Sequence, residues 1–556
     1  MTRTGKILLA SLALFTLLYV ANGIFYGSLL SNCARTYDEG MNAQTLRFDV
    51  FINPDSSYLP GYEAAANLAE RLVGRNWTGI YLTVNTFHLL LLLVFLCLLG
   101  AKMKDLETGF LASFLFLLYP LAAGTYNRYC MDFSMAGALV MAVYFLAESR
   151  FFTDIKYSLL FFASCAYGIS LKDSFPGFIA GPAACAAIYG LKNLRKTGSG
   201  EKKVFFALLA AISLAAWRFF LDFRKMFWDR LFWEPSGNPW YSPENLEFFW
   251  KGVWETQLSP FFALLLLPGI YYFLKEEKKE TKLLLGLWIA LPNLILLAIP
   301  HGKAARYLLP QLPALALITA LALRKTLDSP RGRTLLSLTF AAGAFQLYAF
   351  MYDPAVFSGA SGKNFNWWKP EKYMLGERLD AQSKIMNTDL AEKISKKIIA
   401  DIKASPGSRA EKKCVIAFFP SDWSLEAYIA RSYFLMNGGP EMEEALKGLM
   451  LYSALNPKDP EMSYRKFFSV KEVNYAVQIE PRGHPAPPLA ERLPAYLRSS
   501  YELTCVSLGS RPVPQDWGKL SAPWASHLSK FVGIGAAKGV YFDARISADK
   551  EKAFKK

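Results

Sequence analysis

The chain has 556 residues, of which 53% are hydrophobic, 15% aromatic and only 19% charged. Soluble domains carry about 25% charged residues, which excludes a string of such domains; the uneven spread of apolar residues excludes a bare membrane bundle. Lys and Arg number 62 against 46 Asp and Glu, a net charge of +16, but the basic residues fill short gaps between apolar runs, a pattern that reports membrane topology rather than a nucleic-acid partner.

A transmembrane helix needs about 20 mostly apolar residues. Eleven segments are candidates: 7–30, 78–100, 108–125, 130–147, 157–171, 175–191, 203–220, 258–274, 282–299, 305–323 and 333–351. Segments 157–171 and 175–191 also read as one bent hairpin. Arg3 and Lys6 before the first run suit a signal peptide, but its length and the spans that follow favour a retained helix. With a cytoplasmic N-terminus, the inner loops hold Lys102 and Lys104, Arg150 and Lys156, the 192–203 basic cluster, Lys275 to Lys282, and Arg324 to Arg333. The positive-inside rule then predicts a multi-pass inner (plasma) membrane protein whose chain beyond residue 351 is extracytoplasmic.

The outer segments differ in character. Loop 31–77 runs from Tyr37-Asp38-Glu39-Gly40 through Tyr58-Leu59-Pro60-Gly61-Tyr62 into an alanine-rich stretch, 63–73. That stretch sets Ala64, Leu68, Leu72 and Val73 near one face, as in a helix lying on the membrane surface. Segment 221–257 is crowded with aromatics and suits an interfacial anchor or a rim for lipid or sugar. Residues 352–556 are long enough for a separate domain. Within them 414–420, 473–479 and 503–508 read as strands and 425–436 as a helix, which predicts a small α/β domain. Of the cysteines, Cys33, Cys130, Cys414 and Cys505 fall on the oxidising side, where Cys33–Cys130 and Cys414–Cys505 are candidate pairs.

Ionisable groups at a membrane edge are costly and therefore informative. Four clusters fall on the outer face: Asp38-Glu39; Arg128 with Asp132; Lys172-Asp173; and His301, Lys303, Arg306 and Tyr307. Each has a plainer reading as a solvated charge, a helix cap, a local ion pair or an interfacial anchor. Together they suit an anionic lipid-linked substrate. Lys and Arg stabilise charge that grows on a phosphate leaving group, and a carboxylate removes the proton of a hydroxyl acceptor. No nucleotide-binding loop occurs. A transporter should instead show an internal repeat and broken helices at mid-membrane.

Taken in order, these residues resemble the GT-C-fold glycosyltransferases that use polyprenyl-phosphate sugars, in the branch of protein O-mannosyltransferases and aminoarabinose transferases. The resemblance rests on Tyr37-Asp38-Glu39-Gly40, Tyr58-Leu59-Pro60-Gly61-Tyr62, Arg128-Tyr129-Cys130-Met131-Asp132, Leu171-Lys172-Asp173 and the run His301 to Pro310. It implies a GT-C-like helical membrane domain over 1–351 with an extracytoplasmic α/β domain over 352–556, and a polyprenyl-phosphate-linked sugar donor. It implies Asp38 as general base, assisted by Glu39 and Asp132, with Lys172, Lys303, Arg306, Arg128, His301 and Tyr307 at the donor phosphate. A divalent metal is required in some branches and not others, so that point stays open. The second proline frequent after Pro60 is missing. The Trp-Trp-Asp motif of oligosaccharyltransferases is also absent, which disfavours en bloc transfer to asparagine. A polymerase or ligase using a lipid-diphosphate donor, and a transporter or lipid flippase, are the alternatives. The acceptor, whether glycolipid, polysaccharide or protein hydroxyl, is not legible.

Overall fold

The computed structural model describes residues 2–28, 60–172, 174–194, 257–298 and 305–352, strands within 416–546, and isolated positions at 202, 242–253 and 396. Two compact units divide the chain, one drawn from residues 1–27, 45–74 and 79–380 and the other from 28–44, 75–78 and 381–556.

The first unit is helical. In chain order its helices are α1 (Arg3–Ser28), α2 (Pro60–Val73), α3 (Trp77–Met103), α4 (Leu106–Leu118), α5 (Pro120–Tyr126), α6 (Met131–Glu148), α7 (Ile155–Leu171) and α8 (Phe175–Leu194). Then come α9 (Ser259–Glu276), α10 (Lys279–Ala298), a 3-10 segment (Ala305–Gln311), α11 (Leu312–Thr326) and α12 (Pro330–Tyr352). Helical structure thus occupies ten of the eleven candidate spans, and 203–220 lies outside the described residues. Five helices among the described residues are long and apolar enough to cross a membrane alone, or six if α4 and α5 count as one broken span. Between these two helices the chain bends by 68°. Pro120 has no N–H to continue α4, and its ring holds Tyr119 extended at φ −71° and ψ 128°. The 108–125 run, read from sequence as one span, is therefore kinked near its C-terminal end.

Close helix contacts use small residues, because apolar lipid gives no hydrophobic gain for burying one more apolar side chain. A Cβ on Gly109 of α4 would lie 2.2 Å from the Cys97 carbonyl oxygen of α3, and one on Gly181 of α8 would lie 2.1 Å from that of Leu287 in α10. The described ion pairs gather at two ends of the helices. One end holds Lys102 paired with Glu148 at 3.1 Å and Arg324 with Asp105 at 2.8 Å. These belong to the loops expected to be cytoplasmic. The other end holds Asp132, Lys172 and Arg306.

Helices α6 and α7 form the hairpin that matters most for that second end. Their connection bends back through Arg150, Phe151 and Phe152 at φ 49°, 53° and 71°. Left-handed backbone costs of order 1 kcal/mol or more per non-glycine residue. Phe152 offsets this by stacking on Phe162, with ring centroids 5.7 Å apart. The return turn thus sets the N-terminus of α6 beside the C-terminus of α7.

The amphipathic reading of 63–73 holds for its exposed side. In α2, Leu68, Leu72 and Val73 are exposed, whereas Tyr62, Glu63, Ala66, Asn67 and Ala69 are buried. Its first turn packs against the end of α7, where a Cβ on Gly61 would collide with Ser170.

In the second unit the described residues are strands β1 (Ile416–Phe419), β2 (Leu451–Tyr452), β3 (Tyr475–Glu480), β4 (Tyr501–Ser507) and β5 (Lys538–Ile546). They form one mixed sheet in the order β2-β1-β3-β5-β4. Strand β1 pairs in parallel with β2 and β3, and β5 pairs antiparallel with β3 and β4. Each strand expected from sequence has a counterpart in β1, β3 and β4; the helix expected at 425–436 lies outside the described residues.

Candidate active site

Sequence places an acid at the start of α6 and a lysine just past the end of α7. Both positions are electrostatically favoured, since a helix N-terminus carries partial positive charge and a C-terminus partial negative charge. Asp132 lies in the first turn of α6. Lys172 caps α7 in extended backbone, its N–H donating to the Gly168 carbonyl at 3.1 Å. The α6–α7 hairpin brings the two side chains into a direct ion pair through Lys172 Nζ and Asp132 Oδ1.

The 3-10 segment adds the next groups. Arg306 Nε reaches Asp132 Oδ2 at 3.4 Å. Both cations lie over the Tyr307 ring, Lys172 Nζ 5.1 Å and Arg306 Cζ 5.0 Å from its centroid. Two cations this close repel each other. The ring face and the shared carboxylate offset that repulsion, the ring by about 0.5–2 kcal/mol per cation. The Cys130 thiol donates to Asp132 Oδ2 at 3.2 Å. Asp132 is 3% exposed and each cation 14%.

Burial acts against the Lys172 ammonium, but the Asp132 carboxylate outweighs it and holds the pKa above the ordinary lysine value. Among the described residues Cys130 is a free thiol that donates to Asp132. Cys33 and Cys414, one member of each candidate pair, lie outside the described residues.

Of the residues singled out from sequence, the structure brings together Asp132, Lys172, Arg306 and Tyr307. Arg128, on the segment entering α6, is fully buried. Asp38, Glu39, Asp173, His301 and Lys303 lie outside the described residues, as does most of 221–257. Lys172 makes a long-range pair with Asp132; Asp173, its local partner weighed from sequence, lies outside the described residues. Sequence reading passed over the Cys130 donor, the buried Glu63 of α2 and the buried Asn85 of α3. A lone amide inside an apolar run was the available signal for Asn85. Among the described residues no group of three or more His, Cys, Asp and Glu side chains converges as a metal site.

With both ends of the bundle placed, the fold can be named: it is the GT-C fold of membrane glycosyltransferases. The chain matches ArnT from Cupriavidus metallidurans in its apo state, with a TM-score of 0.50 over 85% of this chain and 96% of that one, at 12% identity. ArnT from the same organism bound to undecaprenyl phosphate matches with a TM-score of 0.49, covering 96% and 98% at 12% identity. The archaeal oligosaccharyltransferase AglB from Archaeoglobus fulgidus, in complex with an inhibitory peptide and a dolichol-phosphate, matches with a TM-score of 0.43, covering 84% and 69% at 12% identity. No family model and no curated protein sequence matches the chain.

Proposed function

We propose that this protein is an integral-membrane glycosyltransferase that moves a single sugar from a polyprenyl-phosphate donor to a hydroxyl on an extracytoplasmic acceptor, with inversion at the anomeric carbon. The observation that carries the reading is the cluster of Lys172 and Arg306 around Asp132 and Tyr307, built at the end of the bundle opposite the basic loops. Two cations against one carboxylate leave this group with excess positive charge, which suits an anionic phosphate.

In the reaction, the acceptor oxygen attacks the anomeric carbon as the bond from that carbon to the phosphate oxygen breaks. The bonding electrons leave with the phosphate, which passes from a diester with one negative charge to a monoester with up to two. Lys172 and Arg306 stabilise that growing charge, as positioned cations do in a low-dielectric site. Asp132 orients both cations, and both lie over the Tyr307 ring. Asp38 takes the acceptor proton, with Glu39 beside it, while Lys303, His301 and Arg128 complete the phosphate site. In this reading residues 1–351 form the catalytic domain, with eleven spans in the inner membrane, and 352–556 form an extracytoplasmic domain.

The test is turnover of a panel of labelled undecaprenyl-phosphate sugars by protein in lipid nanodiscs, with and without EDTA, comparing wild type with Asp38→Asn. Consumption by wild type and loss in the variant is the expected result. Normal turnover by Asp38→Asn removes the base assignment; consumption of diphosphate-linked donors alone favours the polymerase or ligase alternative.

A further inference from the structure

Asp132 can hold two cations only if the start of α6 is itself fixed. The segment leading into it, Asn127 to Cys130, leaves the short helix α5 and crosses to α6 without regular structure. A helix end leaves carbonyls without intrahelical partners, and these ones are buried, since Tyr126 and Arg128 are fully shielded and Asn127 nearly so. Within a bundle in lipid, each such carbonyl must find a donor inside the protein.

One side chain meets two of them. Asn85, fully buried in α3, donates through Nδ2 to the Tyr126 carbonyl at 2.8 Å and to the Arg128 carbonyl at 2.7 Å. Both amide hydrogens are used, and they land on either side of Asn127. This fixes the orientation of the amide, because a flip would set its oxygen against two carbonyl oxygens. The neighbouring residue of α3 adds a contact, with Thr86 Oγ1 2.9 Å from the Tyr126 hydroxyl. Asn85 stands eight residues into α3, roughly 12 Å along its axis, where no bulk water can substitute for the amide. The Arg128 carbonyl stands two residues before Cys130 and four before Asp132, so its position bears directly on theirs.

We infer that Asn85 is a positioning residue: its amide pins the Tyr126–Arg128 segment through two carbonyls and so places Cys130 and Asp132 against Lys172 and Arg306. The effect on turnover rests on the transferase reading; the pinning of the segment does not.

The experiment therefore reads both, on the full chain in nanodiscs. Cys130 reports the segment, because it is buried and its thiol is held by Asp132. Maleimide labelling at Cys130 is followed by peptide mass spectrometry, with buried Cys165 and Cys185 as internal references. Asn85→Leu removes both donors at similar volume, and Asn85→Ser removes their reach with less steric demand. Tyr167→Phe is the control for general loosening of α3, since Tyr167 bonds His88 on the same helix. Labelling of Cys130 is expected to rise by about 10-fold or more, the effect of losing two net hydrogen bonds on local opening, in both Asn85 variants and not in Tyr167→Phe. Labelling of Cys165 and Cys185 stays at the wild-type rate. Turnover of the undecaprenyl-phosphate sugar is expected to fall by about 10- to 100-fold, mainly in kcat, as for a misplaced reacting group. Unchanged Cys130 labelling in both Asn85 variants overturns the inference. So does an equal rise in the control or at the reference cysteines. Faster Cys130 labelling with wild-type turnover overturns the positioning role. If wild type consumes no polyprenyl-phosphate donor, the transferase reading fails while the labelling result stands by itself.

Discussion

Removing Lys172 separates what it contributes to folding from what it contributes to chemistry. In Lys172→Met the Asp132 carboxylate remains 97% buried with Arg306 Nε at 3.4 Å and the Cys130 thiol at 3.2 Å as its described partners. Breaking one side of a buried ion pair costs about 3–5 kcal/mol, because the remaining charge stays desolvated. Arg306 already neutralises part of that charge and Lys172 keeps some exposure, so a loss near the low end, about 3 kcal/mol, is expected. Asp132→Asn in the same chain removes the stranded charge. The double variant should regain about 0.5–3 kcal/mol relative to the sum of the singles, the range of coupling between groups in contact. Thermal unfolding in one detergent measures this. Turnover should not follow. If Lys172 stabilises the phosphate leaving group, its loss lowers kcat by about 100- to 1,000-fold in the single and the double variant alike. Recovery of turnover together with stability in the double variant would refute the reasoning and leave Lys172 a structural group.

Other outcomes follow from the same geometry. Asp38→Asn is expected to lower turnover by about 100-fold or more while undecaprenyl phosphate still binds, as for a lost general base; isothermal titration beside the turnover assay checks both halves. Because Lys172 has a raised pKa, the stability it contributes is full below the ordinary lysine value of 10.5 and is lost only as pH rises through the higher folded value. The stability difference between wild type and Lys172→Met should therefore be flat from pH 6 to about 10 and shrink above that, which unfolding curves at stepped pH will show. At the other end of the bundle, Asp105 caps α4 by accepting from the Thr108 N–H at 2.8 Å and pairs with Arg324. Asp105→Ala should cost about 1 kcal/mol for the lost cap with turnover unchanged, and loss of turnover there would contradict the placement of the site. A reporter fused after residue 351 should be active only outside the cytoplasm.

Much of the fold follows from one-dimensional pattern. Apolar runs such as 78–100 and 130–147 must become helices, because lipid satisfies no backbone groups and a helix satisfies its own. The basic gaps at Lys102 and Arg324 mark one end for the same reason at every crossing. Asp132, Lys172 and Arg306 were legible in the sequence as ionisable residues at the ends of apolar runs. Their pairings were not. Lys172 precedes Asp173 in sequence, yet its partner is Asp132, forty residues away. The bend at Tyr119 was readable in principle from Pro120, but not its 68° angle, which depends on what α5 packs against.

The sequence by itself determined which of the described apolar segments are helical, because hydrophobic length is a local property of the chain. Only the tertiary structure decided that Cys130 serves Asp132 as a thiol, that two cations meet the Tyr307 ring, and that the Asn85 amide reaches two carbonyls at the entry to α6. Each of these depends on how distant helices rotate and approach, and that is set by close packing of small residues and by buried polar groups needing partners, neither of which has a signature at fixed sequence spacing.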